Sequence, residues 1–293
     1  MDVNFPLNQL SVLTLNVGLA RHNGDWNWKN VRSPFARMYY VTEGEAQVII
    51  PPHTYTLTPG HLYLIPPFTT HSNVCTGLFV HYYIHIYEAD ENSSLFETWN
   101  FPVEVDAAAT DKLLMQRLCD INPFWKLPES NPDVYDNHQM LMNHLWMNLQ
   151  RPFHDKVESR GILFVLFSRF LTQANLKAEI YDSRIQKVIH YIRSHIGEPL
   201  SLEELSSMAY MSKDHFIRKF KQATGLTPVL YVTTHRMEKA ELLLVTTTLS
   251  VKQIAREVGY GNTSYFNRLF RKHFNLSPQM YRHGGGLSNT IKI

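Results

Sequence analysis

Two short stretches of this 293-residue chain carry side chains suited to gripping a polyanion. In the later one, Thr263, Asn267 and Arg271 recur at i, i+4 and i+8, with Ser264 and Arg268 beside them and Asn262 just ahead. That spacing puts them on one face of an α-helix. Asn pairs bidentately with adenine and Arg with guanine, and both side chains also bond phosphate oxygens. The earlier stretch offers Lys213, Asp214, Ile217, Arg218 and Lys221 in the matching places. One polar helix face of this kind is usually a solvated surface. Two of them, on related units, argue for a shared task in reading a duplex.

The units that must position these faces are visible as a repeat. Ser201–Ala209 aligns with Ser250–Val258 at an offset of 49 residues, and His215–Lys221 with Tyr265–Arg271 at an offset of 50. Ser201…Glu204 and Ser250…Gln253 have capping-box spacing, in which the Ser oxygen takes an orphan N–H and the side chain three residues on returns to the cap. Leu202, Leu205 and Ala209, and likewise Val251, Ile254 and Val258, recur with helical period. Short turns follow, Tyr210-Met211 and Gly259-Tyr260-Gly261, and Ser212 and Asn262 are good caps for a second helix. Phe216 and Phe220, like Phe266 and Phe270, mark the buried side. The pattern predicts helix, tight turn, helix, twice over. Between the copies, Thr227-Pro228 starts a helix reaching about Leu244, a spacer of roughly 27 Å at 1.5 Å per residue.

Charge divides the chain in the same way. From Asp182 onward there are 16 Lys+Arg against 8 Asp+Glu, a net +8, while the remainder is net −6. A basic C-terminal part suits a polyanionic partner and an acidic N-terminal part does not. The only cysteines, Cys75 and Cys119, have no metal-site spacing and fit a reduced, cytoplasmic setting. The start lacks the basic and apolar regions of a signal peptide, and the longest apolar run, Ile162–Phe167, is too short to cross a bilayer.

The N-terminal part has β character. Residues 1–30 predict an arm leading into a first strand. Met38–Thr42, Ala46–Ile50, Tyr55–Thr58, His61–Ile65 and Phe79–Tyr87 then alternate with turns at Glu43-Gly44-Glu45, Pro51-Pro52-His53 and Pro59-Gly60. Short strands at near-regular spacing predict a sandwich or barrel. On Phe79–Tyr87, period-2 alternation places His81, Tyr83 and His85 on one side and Val80, Tyr82, Ile84 and Ile86 on the other. A barrel interior carrying Arg37, His81, Tyr83 and His85 would offer hydrogen bonds and aromatic faces to a small molecule, a sugar or glycan fragment among them. Exposed Trp26 and Trp28 are further stacking candidates, or else pack on the sheet. Helices are predicted over 106–121, 134–149 and 155–173, to cover the barrel and to pair two subunits or simply to form an internal layer.

Over about 182–283 the chain resembles the AraC/XylS family of transcription regulators. The matching residues are Ala209, Ser212, Phe216, Arg218, Phe220-Lys221, Gly225, Pro228 and Tyr231; Arg236, Ala240 and Leu243-Leu244; then Ile254-Ala255, Val258-Gly259-Tyr260, Tyr265-Phe266, Arg268, Phe270-Arg271, Phe274, Ser277-Pro278 and Tyr281-Arg282. The resemblance implies two base-reading helices joined by a rigid helix, with the second module near RNA polymerase. Asp214 and Ile217 depart from what a phosphate-rich groove favours. The run Tyr55–His71 is similar to the cupin half of sugar-responsive members. Metal-binding cupins use two His and a Glu from a first motif and a His from a second. Here the first segment, Val31–Arg37, has no His, and only His71 matches the second. No metal, cofactor or catalytic residue is therefore expected, leaving an organic-ligand pocket that includes His71 or one that is purely structural.

The expected architecture is two-domain: a cupin-like jelly-roll barrel over 1–105, a helical dimerisation or packing segment over 106–175, a linker over 176–182, an all-α double helix-turn-helix over 183–283, and a tail over 284–293. The expected function is a cytoplasmic, DNA-binding, effector-responsive regulator acting as a homodimer, without a membrane partner. The alternatives are a cupin enzyme with an accessory DNA-binding tail, or a regulator whose N-terminal domain only mediates assembly.

Overall fold

The computed structural model describes residues 10–88, 95–135, 138–176, 182–285 and 291–292. The chain separates into two compact units, 1–176 with 283–293, and 177–282. Residues 1–9 of the predicted N-terminal arm, most of the linker and most of the tail lie outside the described residues.

The first unit opens with strands β1 (Val12–Asn23), β2 (Trp28–Val31), β3 (Ala36–Gly44), β4 (Ala46–Ile50), β5 (His53–Leu57), β6 (His61–Ile65), β7 (His71–Val74) and β8 (Leu78–Glu88). There follow α1 (Leu95–Thr98), β9 (Trp99–Asn100), β10 (Glu104–Asp106), α2 (Asp111–Asp120), a tight turn at Pro123–Trp125, α3 (Pro132–Tyr135), α4 (His138–Gln150), α5 (Phe153–Leu171) and β11 (Asn175–Leu176). Two five-stranded antiparallel sheets result, ordered β1-β8-β3-β6-β10 and β12-β2-β7-β4-β5, where β12 is Ile291–Lys292. This is the jelly-roll type of sandwich, with helices added.

β8 is buried on both faces, which explains why it reads as almost unbroken apolar and aromatic sequence. Tyr82, Ile84 and Ile86 pack in one cluster with Met115 and Leu118 of α2 and Leu163, Leu166, Phe167 and Phe170 of α5. Phe79 and Tyr83 pack in another, with Trp26, Trp28, Tyr39 and Tyr63. Gly18 sits opposite Tyr83 in the ladder, where a Cβ would lie 2.5 Å from the phenol oxygen, so only glycine leaves room for that ring. Asp111, fully buried, accepts from the Ala108 N–H at 2.8 Å and pairs with Arg169 of α5 at 3.0 Å, pinning the helical layer.

The second unit comprises α6 (Ser183–Ser194), α7 (Leu202–Met208), α8 (Lys213–Thr224), α9 (Pro228–Thr246), α10 (Val251–Glu257), α11 (Thr263–Phe274) and α12 (Pro278–Met280). The caps form largely as the sequence predicts. Ser250 and Gln253 make a complete capping box. Ser201 makes only half of one, because the Glu204 carboxylate accepts from the Tyr191 hydroxyl at 3.0 Å instead of returning to the cap. Gly225 and Asn275 end α8 and α11 in the left-handed region, at equivalent positions of the repeat. α9, at 19 residues, spans about 28 Å. From its middle, Arg236 donates to the carbonyls of Ile196, Glu198 and Gly259, so one guanidinium holds the loop before α7 and the turn after α10.

Three expectations need correction. The helix predicted from Asp106 starts at Asp111, because Glu104–Asp106 pairs with Tyr63–His61 as a strand. Trp26 and Trp28 are buried, not exposed. Asn175–Leu176, read as the end of the helical segment and start of the linker, pairs with Trp99–Asn100.

Gly259 has φ +81°, and a Cβ there would lie 2.7 Å from the Arg236 guanidinium. We expect Gly259→Ala to destabilise the second unit by more than about 1 kcal/mol, since strain and a displaced clasp add together. Far-UV circular dichroism melting reads this. All five tryptophans lie before residue 177, so tryptophan emission should show the first unit melting unchanged.

Candidate nucleic-acid interface and ligand pocket

α8 and α11 are the second helices of the two repeats. Each buries two phenylalanines completely, Phe216 and Phe220 in α8, Phe266 and Phe270 in α11. Burying that stripe obliges the opposite face to meet solvent. On α8 this face exposes Lys213, Asp214, Arg218 and Lys221, with Ile217 half-buried. On α11 it exposes Ser264, Asn267, Arg268 and Arg271, with Thr263 half-buried. Two candidates are partly occupied by the fold itself. Asn262 caps α11, its Oδ1 accepting from the Tyr265 N–H at 3.0 Å. Lys213 is paired with the Glu203 carboxylate. Arg268 lies 5.2 Å over the Tyr265 ring, a contact that steadies its guanidinium. Tyr210, 86% exposed at the turn before α8 with φ +53°, went unnoticed as a contact candidate. Its pairing with Gly259 in the repeat was the available signal.

In the first unit a cavity of ≈ 970 Å³ lies against β1, β3 and β8. Of the sequence candidates, Trp26, Trp28, His81, Tyr83 and His85 line it, whereas Arg37 and His71 do not. Arg37 is buried, donates to the Ser33 Oγ at 2.7 Å and lies over the Phe35 ring. Sequence reasoning missed His22, Tyr39, Tyr135 and the 126–131 loop. His22 and Tyr39 follow from strand alternation. The loop is 41 or more residues downstream of His85 in sequence, and no local pattern connects the two. Tyr83 joins them: its hydroxyl accepts from the Leu127 N–H at 2.7 Å.

The pocket wall is a stack of rings. His22 and His81 face each other at 5.5 Å, Phe79 and His81 at 4.5 Å, Trp26 and Phe79 at 5.3 Å. Burial pushes the pKa of His22 down despite Asp25 beside it, and pushes those of His81 and His85 well down, with neighbouring positive charge adding to the effect. His71 is held at about 3 by burial and then by Arg37. These imidazoles are therefore neutral, each with one donor and one acceptor nitrogen. The His81 Nδ1 is buried without a hydrogen-bond partner. Behind the wall, the His85 Nδ1 lies 3.3 Å from the Asn16 Oδ1, and the Asn16 amide 2.6 Å from the His144 Nδ1 on α4. Among the described residues no group of three or more His, Cys, Asp or Glu is placed to hold a metal ion, and no helix is long and apolar enough to cross a membrane.

Duplicated helix-turn-helix units with polar, cationic second helices define a DNA-binding protein, and comparison with known proteins gives the class. A family model described as "Helix-turn-helix domain" matches residues 205–284. The transcriptional activator RhaS of Salmonella paratyphi A is 30% identical over 205 residues, covering 68% of this chain and 73% of that protein. The regulatory protein PocR of Salmonella typhimurium is 36% identical over 102 residues, 35% of this chain and 34% of that one. Among solved structures, the DNA-binding domain of AdpA in complex with a target DNA is 31% identical and covers 34% of this chain and 90% of that one, at a TM-score of 0.34. ToxT of Vibrio cholerae is 13% identical over 94% of this chain and 98% of its own, at a TM-score of 0.49. The chain belongs to the AraC/XylS family. It is a DNA-binding transcription regulator.

The depressed histidines make the first unit acid-sensitive. Unfolded, each imidazole titrates near 6.5; folded, each resists protonation below that. Stability is fully present above 6.5 and is lost as the pH falls toward the folded values, at up to about 1.4 kcal/mol per pH unit for each excluded proton. Urea midpoints followed by tryptophan emission should drop between pH 7 and pH 5. A flat profile would mean that the imidazoles acquire partners.

Proposed function

We propose that the regulator binds its operator through the exposed faces of α8 and α11 and answers to a small organic effector held in the ring-walled cavity of the first unit. The observation that carries the DNA assignment is the pair of second helices, each burying two phenylalanines and exposing at least two cations on the other side. Arg218, Lys221, Asn267, Arg268 and Arg271 are the leading contacts. Asp214, Ile217, Thr263 and Ser264 line the same faces, and Lys213 and Asn262 stand at the helix starts. Arg268→Ala should cost about 1–3 kcal/mol at the operator if Arg268 reads a base. An equal loss on scrambled DNA would demote it to a phosphate contact. Genomic footprinting of the tagged protein supplies the operator.

Support for the effector is the cavity's chemistry: aromatic faces, neutral imidazoles and a buried nitrogen with no partner suit a polyhydroxylated ligand such as a sugar or glycan fragment. Trp26, Trp28, His81, Tyr83 and His85 contact it, while Arg37 and His71 brace the surrounding strands. The effector acts by population shift, binding one state of the regulator better than another. A ligand specific for the folded state raises the melting temperature of the first unit. Screening a sugar library by thermal shift, then repeating DNA binding with the hit, tests the reading. A hit that leaves DNA affinity and transcription unaltered would refute it.

The protein works in the cytoplasm as a homodimer, with 1–105 as sensor, 106–175 as the self-association segment, 176–182 as linker and 183–283 as the DNA-binding part, whose second module lies near RNA polymerase. Exposed Leu113, Trp146 and Val165 on the helical segment support self-association.

A further inference from the structure

A second hollow in the first unit, of ≈ 300 Å³, shares no lining residue with the ring-walled cavity. Arg151, Lys156 and Arg160 line it, and none of its lining residues is a carboxylate, although the Asp155 side chain lies close enough to act on Arg151. This clustering runs against the net −6 of residues 1–181. Leu13, Trp125, Phe153 and Val157 supply its apolar walls.

Three independent features converge on an anion. Arg151 is partly desolvated, and burial pushes its pKa down against the opposing pull of Asp155. Its hydrogen bonds go to neutral oxygens, the Asp155 carbonyl at 3.0 Å and the Ser159 Oγ at 2.8 Å, while its guanidinium lies 4.6 Å over Trp125. The 19-residue α5 begins at the hollow after Pro152, with no side-chain cap, which leaves first-turn N–H groups and the positive end of the helix there. Thr14, 6% exposed, lines the same space, and its Oγ1 is buried without a hydrogen-bond partner.

We infer that this hollow is a second ligand site, taking a small amphiphilic organic anion. The carboxylate or phosphate head meets the three cations, the start of α5 and the Thr14 hydroxyl. The apolar body lies along Trp125, Leu13, Phe153 and Val157. The volume is at the lower end for ligand sites, which limits the body to a single ring or a short alkyl chain. The site stands apart from the effector reading of the larger cavity. Its ligand would bridge β1 and α5, the strand and helix on either side of the first unit's core.

Calorimetric titration of the full chain with octanoate, octanol and inorganic phosphate tests it. Octanoate should bind, with octanol and phosphate each weaker by about tenfold or more, since each lacks one half of the recognition. Lys156→Glu should weaken octanoate by about tenfold or more while Lys156→Arg keeps it within about threefold. Val157→Asp, which puts a carboxylate in the apolar wall, should weaken it likewise and serves where Lys156→Glu fails to fold. Equal binding of octanol would overturn the anion site, and equal binding of phosphate would overturn the amphiphile. Unaltered octanoate affinity in folded variants, or no octanoate binding at all, would overturn the site.

Discussion

The internal geometry of the second unit depends on one guanidinium. Arg236 leaves the middle of α9 and donates to the carbonyls of Ile196, Glu198 and Gly259, with its plane 5.2 Å over the Tyr260 ring. Those carbonyls close loops and turns, where acceptors lack helical partners. Arg satisfies several at once because its donors are fixed in a plane, which a lysine ammonium cannot match. A clasp of this kind ties both helix-turn-helix units to one rigid helix. The separation and mutual orientation of α8 and α11 then become properties of the fold, so under the proposed mode of binding neither module has to be ordered separately. Arg282 repeats the device at the far end, donating to the carbonyls of Leu244 and Leu249.

The first unit solves a different problem. Its interior strand β8 is buried on both faces, yet it carries His81 and His85 inward. Burial can hold such groups only in the neutral form, and charged neighbours such as Arg37 push the same way. The result is a patch of neutral imidazoles among aromatic rings, in a cavity that Arg21, Asp25, Lys126 and Glu129 also line. The cationic cluster of Arg151, Lys156 and Arg160 lies near the surface, where solvation lowers its cost.

Much of the second unit was legible because its signals are local. Caps, the left-handed Gly225 and Asn275, the turns and the phenylalanine stripes all act within one or two helical turns, and the duplication let each copy check the other. Where a local rule failed, a longer-range partner had intervened: Glu204 left its capping box for the Tyr191 hydroxyl. The helix read from Asp106 starts later, because Asp106 ends a strand that pairs with β6 at the sheet edge.

The amino-acid sequence alone determined the family, the two-part layout, the duplicated modules and the side chains presented by α8 and α11. Each of these follows from period, composition or short-range hydrogen bonding. Only the tertiary structure decided which inward-facing residues share a cavity. Strand alternation brings His81, Tyr83 and His85 to one side, but it could not bring the 126–131 loop over them or exclude Arg37, which turns to Ser33. Nor could it reveal the Arg236 clasp or the three cations around the start of α5. Those depend on contacts between residues far apart in the chain, and packing, not periodicity, selects them.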